Sequence, residues 1–208
     1  MNIAELYRML CSLYGRDHPI DIEHYLLMAR DAGEYTSIGN GAIGREALLI
    51  RQSGDDLEMG LFIDPSIVAA LAAGDVLDHI DELSCAIEGA SHFLYVSDRA
   101  RRGRQASMLE IELQGEVDKF LLIHLIASSR ERDIAPELFL KQFERHSFDP
   151  SLKPCDLERY ETASHFAAKY CENLRKRYFN PLRLKGLTKS ARDFFDRDLA
   201  AKLKRLIP

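Results

Sequence analysis

Six residues, Glu88-Gly-Ala-Ser-His92-Phe93, recur with one change as Glu161-Thr-Ala-Ser-His165-Phe166. Each copy sets a carboxylate four residues before an imidazole, and on an α-helix side chains at that spacing share a face. A carboxylate beside an imidazole can bind a transition metal, relay a proton, or satisfy its neighbour inside a core. Glu112 and Glu116 are also four apart, with Lys119 one turn further, among Leu109, Leu113, Phe120 and Ile123. The spacing predicts that Glu88 and His92 meet Glu112 and Glu116 between consecutive helices. The candidate metal ligands are Glu88, His92, Glu112, Glu116, Glu161 and His165, and the cofactor they would take is a divalent ion such as Fe, Mn or Zn. The same residues also fit a plainer description, as internal ion pairs of Glu88 with His92 and of Glu112 or Glu116 with Lys119.

Other chemistry finds less support in the residues. Ferritin-like di-metal carboxylate proteins use Glu-x-x-His, whereas this chain has Glu-x-x-x-His, which swings the imidazole by roughly a hundred degrees around the helix. That pattern therefore does not transfer. There is no HExxH and no Gly-x-Ser-x-Gly, and Gly39-Asn-Gly41-Ala-Ile-Gly44 lacks the Lys-Ser/Thr of a phosphate-binding loop. His18, His24, His79, His124 and His146 are scattered and read as surface or packed residues.

Helices must position these groups. Ile3, Leu6, Leu10 and Leu13 predict a helix over 2–14, Asp21 caps a second over 21–32, and the glycine-rich stretch 33–44 reads as a loop. Glu46–Gln52 and Leu57–Ile63, around Ser53-Gly54-Asp55-Asp56, read as a β-hairpin. Asp64-Pro65 starts a short helix to Ala73. Longer helices are expected over 76–101, 106–130, 136–145 and 156–178, with a last one over about 188–206. The fold class is mostly α (α+β), an antiparallel helical bundle with one small β-hairpin packed on it. The expected organisation is an N-terminal subdomain over 1–74, hairpin included, followed by a bundle over 75–208.

Composition sets the remaining bounds. The 208 residues are 46% hydrophobic and 29% charged, ordinary for a globular chain. The four cysteines form no CxxC pair, and the chain shows neither a signal pattern nor a membrane span, so a cytoplasmic location is expected. The net charge of −5 conceals an asymmetry, because residues 169–208 carry twelve Lys or Arg against four Asp or Glu. Arg175, Lys176, Arg177, Lys189, Arg192, Lys202, Lys204 and Arg205 are the candidate partner-binding residues of this basic end. The sequence pI of about 5.8 argues against a dedicated nucleic-acid binder. Three functions are compatible, in this order: a non-enzymatic interaction or regulatory module that binds a protein partner or itself, a metal-binding protein or enzyme using the Glu/His cluster, and a nucleic-acid binder using the basic end.

Overall fold

The computed structural model describes residues 1–17, 20–28, 45–53, 56–132, 134–144, 148, 150, 152–179 and 184–206. Helix α1, Ile3–Tyr14, starts where expected. The Asn2 side chain accepts from the Glu5 amide at 2.8 Å, Glu5 accepts from the Asn2 amide at 2.9 Å, and Gly15 closes the helix at φ 62°. Of the helix expected over 21–32, the described part, 21–28, holds a single 3-10 turn, Ile22–Tyr25, capped by Asp21. After it, Leu26–Leu27 (β1) pair in parallel with the hairpin, so strand pairing overrides the local helical preference there. The loop expected over 33–44 lies outside the described residues.

The hairpin forms as read. Strands β2 (Glu46–Ser53) and β3 (Asp56–Ile63) pair antiparallel from Glu46↔Ile63 to Ser53↔Asp56, and the sheet order is β1-β3-β2. Alternation puts Glu46, Leu48 and Ile50 on one face, and Leu48, Leu61 and Ile63 join the helical core from there. Helix α2, Pro65–Ala72, has Asp64 as its cap, accepting from the Ser66 amide at 2.8 Å.

Two 22-residue helices make the centre, α3 (Ile80–Arg101) and α4 (Met108–Ser129). Their contacts run from Glu88–Lys119 through Ser91–Asp118 to Arg99–Glu110, which makes them antiparallel. Helix α5 (Ala135–Phe139) passes into a π-turn at Leu140–Glu144, so the helix expected over 136–145 survives only in its first half. Helix α6 (Pro154–Tyr178) packs on α4. Contacts advance from Glu112–Arg159 to Phe120–Phe179, so these two run in the same general direction, and α5 carries the chain back. One apolar cluster runs from Ile3 to Leu206 and takes in α1, the hairpin and the helices around them. The molecule is a helical bundle with a small three-stranded sheet packed against it.

The last helix divides in two, α7 (Leu184–Phe195) and α8 (Leu199–Leu206). Asp198 caps the second piece by accepting from the Ala201 amide at 2.8 Å, and the Arg99 guanidinium takes the freed carbonyls of Phe195 and Arg197 at 3.1 and 2.5 Å. A larger correction concerns Lys202. The sequence suggested an accessible basic residue, but its side chain is fully buried. Nζ donates to Tyr95 Oη and Gln114 Oε1, each at 2.9 Å, and sits 4.4 Å from the Tyr95 ring centroid and 4.9 Å from that of Phe194. Two neutral acceptors and two ring faces satisfy an ammonium that the apolar stem carries inward.

Burial pulls the Lys202 ammonium down to about 7, against the opposing pull of Glu110 and Asp118. The unfolded chain keeps an ordinary lysine, so it takes up protons below about pH 10 that the folded chain holds only near pH 7. A lowered base therefore adds stability at alkaline pH and loses it as pH falls toward 7. Between pH 7 and 10 the wild type should gain roughly 3 kcal/mol relative to Lys202→Met, as read from urea melts at the two pH values. Parallel curves for the two proteins would rule this out.

Candidate metal centre

Four elements bring charged side chains to one place. Helix α3 supplies Glu88 and His92 on adjacent turns, α4 supplies Glu112, Glu116 and Lys119, β2 supplies Glu46, and α6 supplies Arg159. One ligand atom each from Glu88, His92 and Glu112 lies within 4.8 Å of the other two. His92 stands between two carboxylates, with Nε2 3.7 Å from Glu112 and Nδ1 3.8 Å from Glu46. Both gaps exceed hydrogen-bond length. Nε2 is buried without a hydrogen-bond partner, as are Glu46 Oε2 and Arg159 Nε. Lys119 Nζ lies 2.7 Å from Glu116 and 3.1 Å from Glu88, and Gln142 of the π-turn donates to the other Glu116 oxygen at 2.9 Å.

Two glycines make this approach physically available. A Cβ on Gly115 would lie 2.9 Å from His92 Nε2, and one on Gly89 would lie 2.8 Å from Ile63 Cδ1 and 3.1 Å from Glu46 Oε2. The first lets the imidazole lie against α4. The second lets the hairpin seat with Glu46 inward. Gly115→Ala should therefore push the His92 ring aside, costing about 1–3 kcal/mol of stability, measured by urea melts. A variant as stable as wild type would show that the ring gives way without cost.

The electrostatics follow from burial. Burial raises Glu46 well above the carboxylate range, and Glu88 and Glu112 push it the same way. Burial and then Glu88 raise Glu112 to about 8, against Arg159 and Lys119. Glu88 is also raised by burial, but the ammonium of Lys119 outweighs this and leaves it below the ordinary range. Burial would lower Lys119, yet Glu116 and Glu88 together hold it above its ordinary value. Burial lowers His92 to about 4, which keeps the imidazole neutral and its nitrogen lone pair available near pH 7. A divalent cation beside Glu46 and Glu112 would favour their charged forms, which burial disfavours.

The residues fit a metal on donor chemistry as well as charge. Ligands about 2.1 Å from a common ion lie roughly 3–4 Å apart, so small side-chain shifts would close the 4.8 Å group around one. A metal-ligating histidine commonly gives its second N–H to a carboxylate, and Glu46 stands on the Nδ1 side.

Not every candidate from the sequence is here. Glu161 and His165 are exposed on α6, whose inward stripe is Ala163, Ala167, Tyr170, Cys171 and Leu174. Glu116 belongs to the cluster through Lys119 and Gln142 and is not one of the three converging ligands. Glu46 and Arg159 went unnoticed in the sequence, although Glu46 is in phase with Leu48 and Ile50 on the inward face of its strand. Of the basic residues, Arg175 and Lys176 pair with Glu172 at 2.7 and 3.1 Å, and Arg192 donates to the carbonyls of Leu13 and Ser12 at 2.8 and 3.0 Å. Arg205 donates to Ser190 at 3.3 Å, Lys202 is in the core, and Arg177, Lys189 and Lys204 are exposed.

Cys11 and Cys171 are buried, Cys85 is half-buried and Cys155 exposed, all as free thiols. Among the described residues, no helix is long and apolar enough to cross a membrane. The fold and cluster define a helical bundle with a buried carboxylate–histidine centre. Comparison with protein-family models, curated proteins and solved structures finds no match.

Proposed function

We propose that this protein binds one divalent transition-metal ion, with Glu88, His92 and Glu112 as ligands and Glu46 orienting the imidazole. The observation that carries this reading is the buried, unpartnered Nε2 of His92, 3.7 Å from Glu112, in a histidine whose ligand atom groups with those of Glu88 and Glu112 within 4.8 Å. An ion pair alone does not account for it, because neutral His92 makes no hydrogen bond to either carboxylate at 3.7–3.8 Å. This moves metal binding ahead of the interaction module that the sequence alone put first. Two oxygen donors and one nitrogen suit Mn2+, Fe2+ or Zn2+ over soft, thiolate-seeking ions. Three protein ligands would leave positions on the ion for water or a substrate atom, where it would act as a Lewis acid.

The test is elemental analysis of untagged protein purified without chelator or nickel resin, followed by melting with added Mn2+ or Zn2+. One ion per chain is expected. Metal at about a hundredfold over Kd should stabilise the fold by about 2.7 kcal/mol, which raises the melting temperature of a chain this size by roughly 5–10 °C. A protein that is metal-free as purified, and whose melting point stays put in excess Mn2+, Fe2+ and Zn2+, would remove the reading.

A further inference from the structure

We propose that Glu88 and Glu116 form a second cation position of the same cluster, held in the wild-type chain by the ammonium of Lys119. The cluster is then a two-cation cage in which one cation is exchangeable and the other is built in. This rests on the metal reading above and extends it to the number of ions the cage accepts.

The geometry points to this through the shared carboxylate. Glu88 contributes a ligand atom to the group with His92 and Glu112, and its Oε2 also accepts from Lys119 Nζ at 3.1 Å. On the far side Nζ donates to Glu116 Oε1 at 2.7 Å, while Gln142 fixes Glu116 through Oε2 at 2.9 Å. Glu88 thus stands between two cation positions, as a bridging carboxylate does between two metal ions. The Lys119 side chain is only 12% exposed, so its charge is buried where it meets those carboxylates. An ammonium is a compact point charge on a flexible stem, and among side chains it comes closest to a small metal ion.

Removing Lys119 takes one positive charge from the cluster and leaves Glu88 and Glu116 without their shared donor. A second divalent ion would replace that donor and occupy the volume the stem vacates.

The experiment counts Mn2+ bound after equilibrium dialysis, in the full chain, by elemental analysis. The expected counts are one for wild type, two for Lys119→Ala, one for Glu116→Gln, and one for the Lys119→Ala, Glu116→Gln double variant. If Lys119→Ala is unfolded without metal, Mn2+ should refold it with two ions bound, as followed by circular dichroism. One ion in both wild type and Lys119→Ala overturns the second position and leaves the single site standing. Two ions in wild type, or a Lys119→Ala chain that stays unfolded in Mn2+, also overturns it. No ion in wild type defeats the metal reading and this inference with it.

Discussion

Changing Arg99 to alanine should cost about 3–5 kcal/mol of folding stability, because it strips a buried guanidinium from a set of partners that cannot turn to water. Arg99 is 2% exposed and donates to Tyr95, to Glu110 at 2.9 Å, and to the carbonyls of Phe195 and Arg197. Its loss leaves the Glu110 carboxylate buried with Tyr95 as its remaining donor and frees two carbonyls at the break between α7 and α8. At roughly 2–4 °C per kcal/mol for a chain this size, the melting temperature should fall by about 6–20 °C. The informative control is Arg99→Met with Glu110→Leu. An apolar pair of similar volume should recover most of the loss that Arg99→Met alone incurs. Urea melts read both. A single variant within about 1 kcal/mol of wild type would mean that water enters the layer and replaces the guanidinium.

The second large effect separates the two copies of the repeated hexapeptide. His92→Ala should weaken Mn2+ binding more than about a hundredfold, equivalent to roughly 2.7 kcal/mol, whereas His165→Ala should leave it unchanged. His92 is buried between Glu46 and Glu112, while His165 is exposed on α6. Equilibrium dialysis of both variants beside wild type gives the answer. Equal losses, or none at His92, would show that the ion, if bound, is held elsewhere.

Local grammar carried much of the fold. The hairpin, the Asp64-Pro65 helix start and the ends of α1 were legible because turn and cap chemistry acts within four residues. Convergence of Glu88 and His92 with Glu112 was also legible, since a short turn between two long helices brings them side by side. The last helix, expected as one piece over about 188–206, divides because Arg99, far away in sequence, takes the carbonyls at the break and Asp198 caps the second piece. Lys202 misled for a related reason. Its burial depends on Tyr95 and Gln114, roughly a hundred residues away in sequence. The two Glu/His copies have equivalent spacing and opposite fates. In α3 every residue from Gly89 to Arg99 is buried, and in α6 one side faces out.

From Glu110 to Lys119 the chain reads Glu-Ile-Glu-Leu-Gln-Gly-Glu-Val-Asp-Lys, an alternation more familiar in strands. Wound as a helix, positions two apart fall about 200° apart. Polar groups therefore emerge on opposite flanks of α4, with Glu112 and Glu116 on one and Glu110, Gln114 and Asp118 on the other. Such a rod has no outward side to spare. One flank is completed by Glu46 and Arg159, the other by Tyr14 and Lys202, so its partners come from both ends of the chain. Dissection should therefore fail in either direction, because trimming from the front or the back strands charge beside the same helix. Modularity has been given up here, and α4 behaves as a keystone that only the assembled arch can hold.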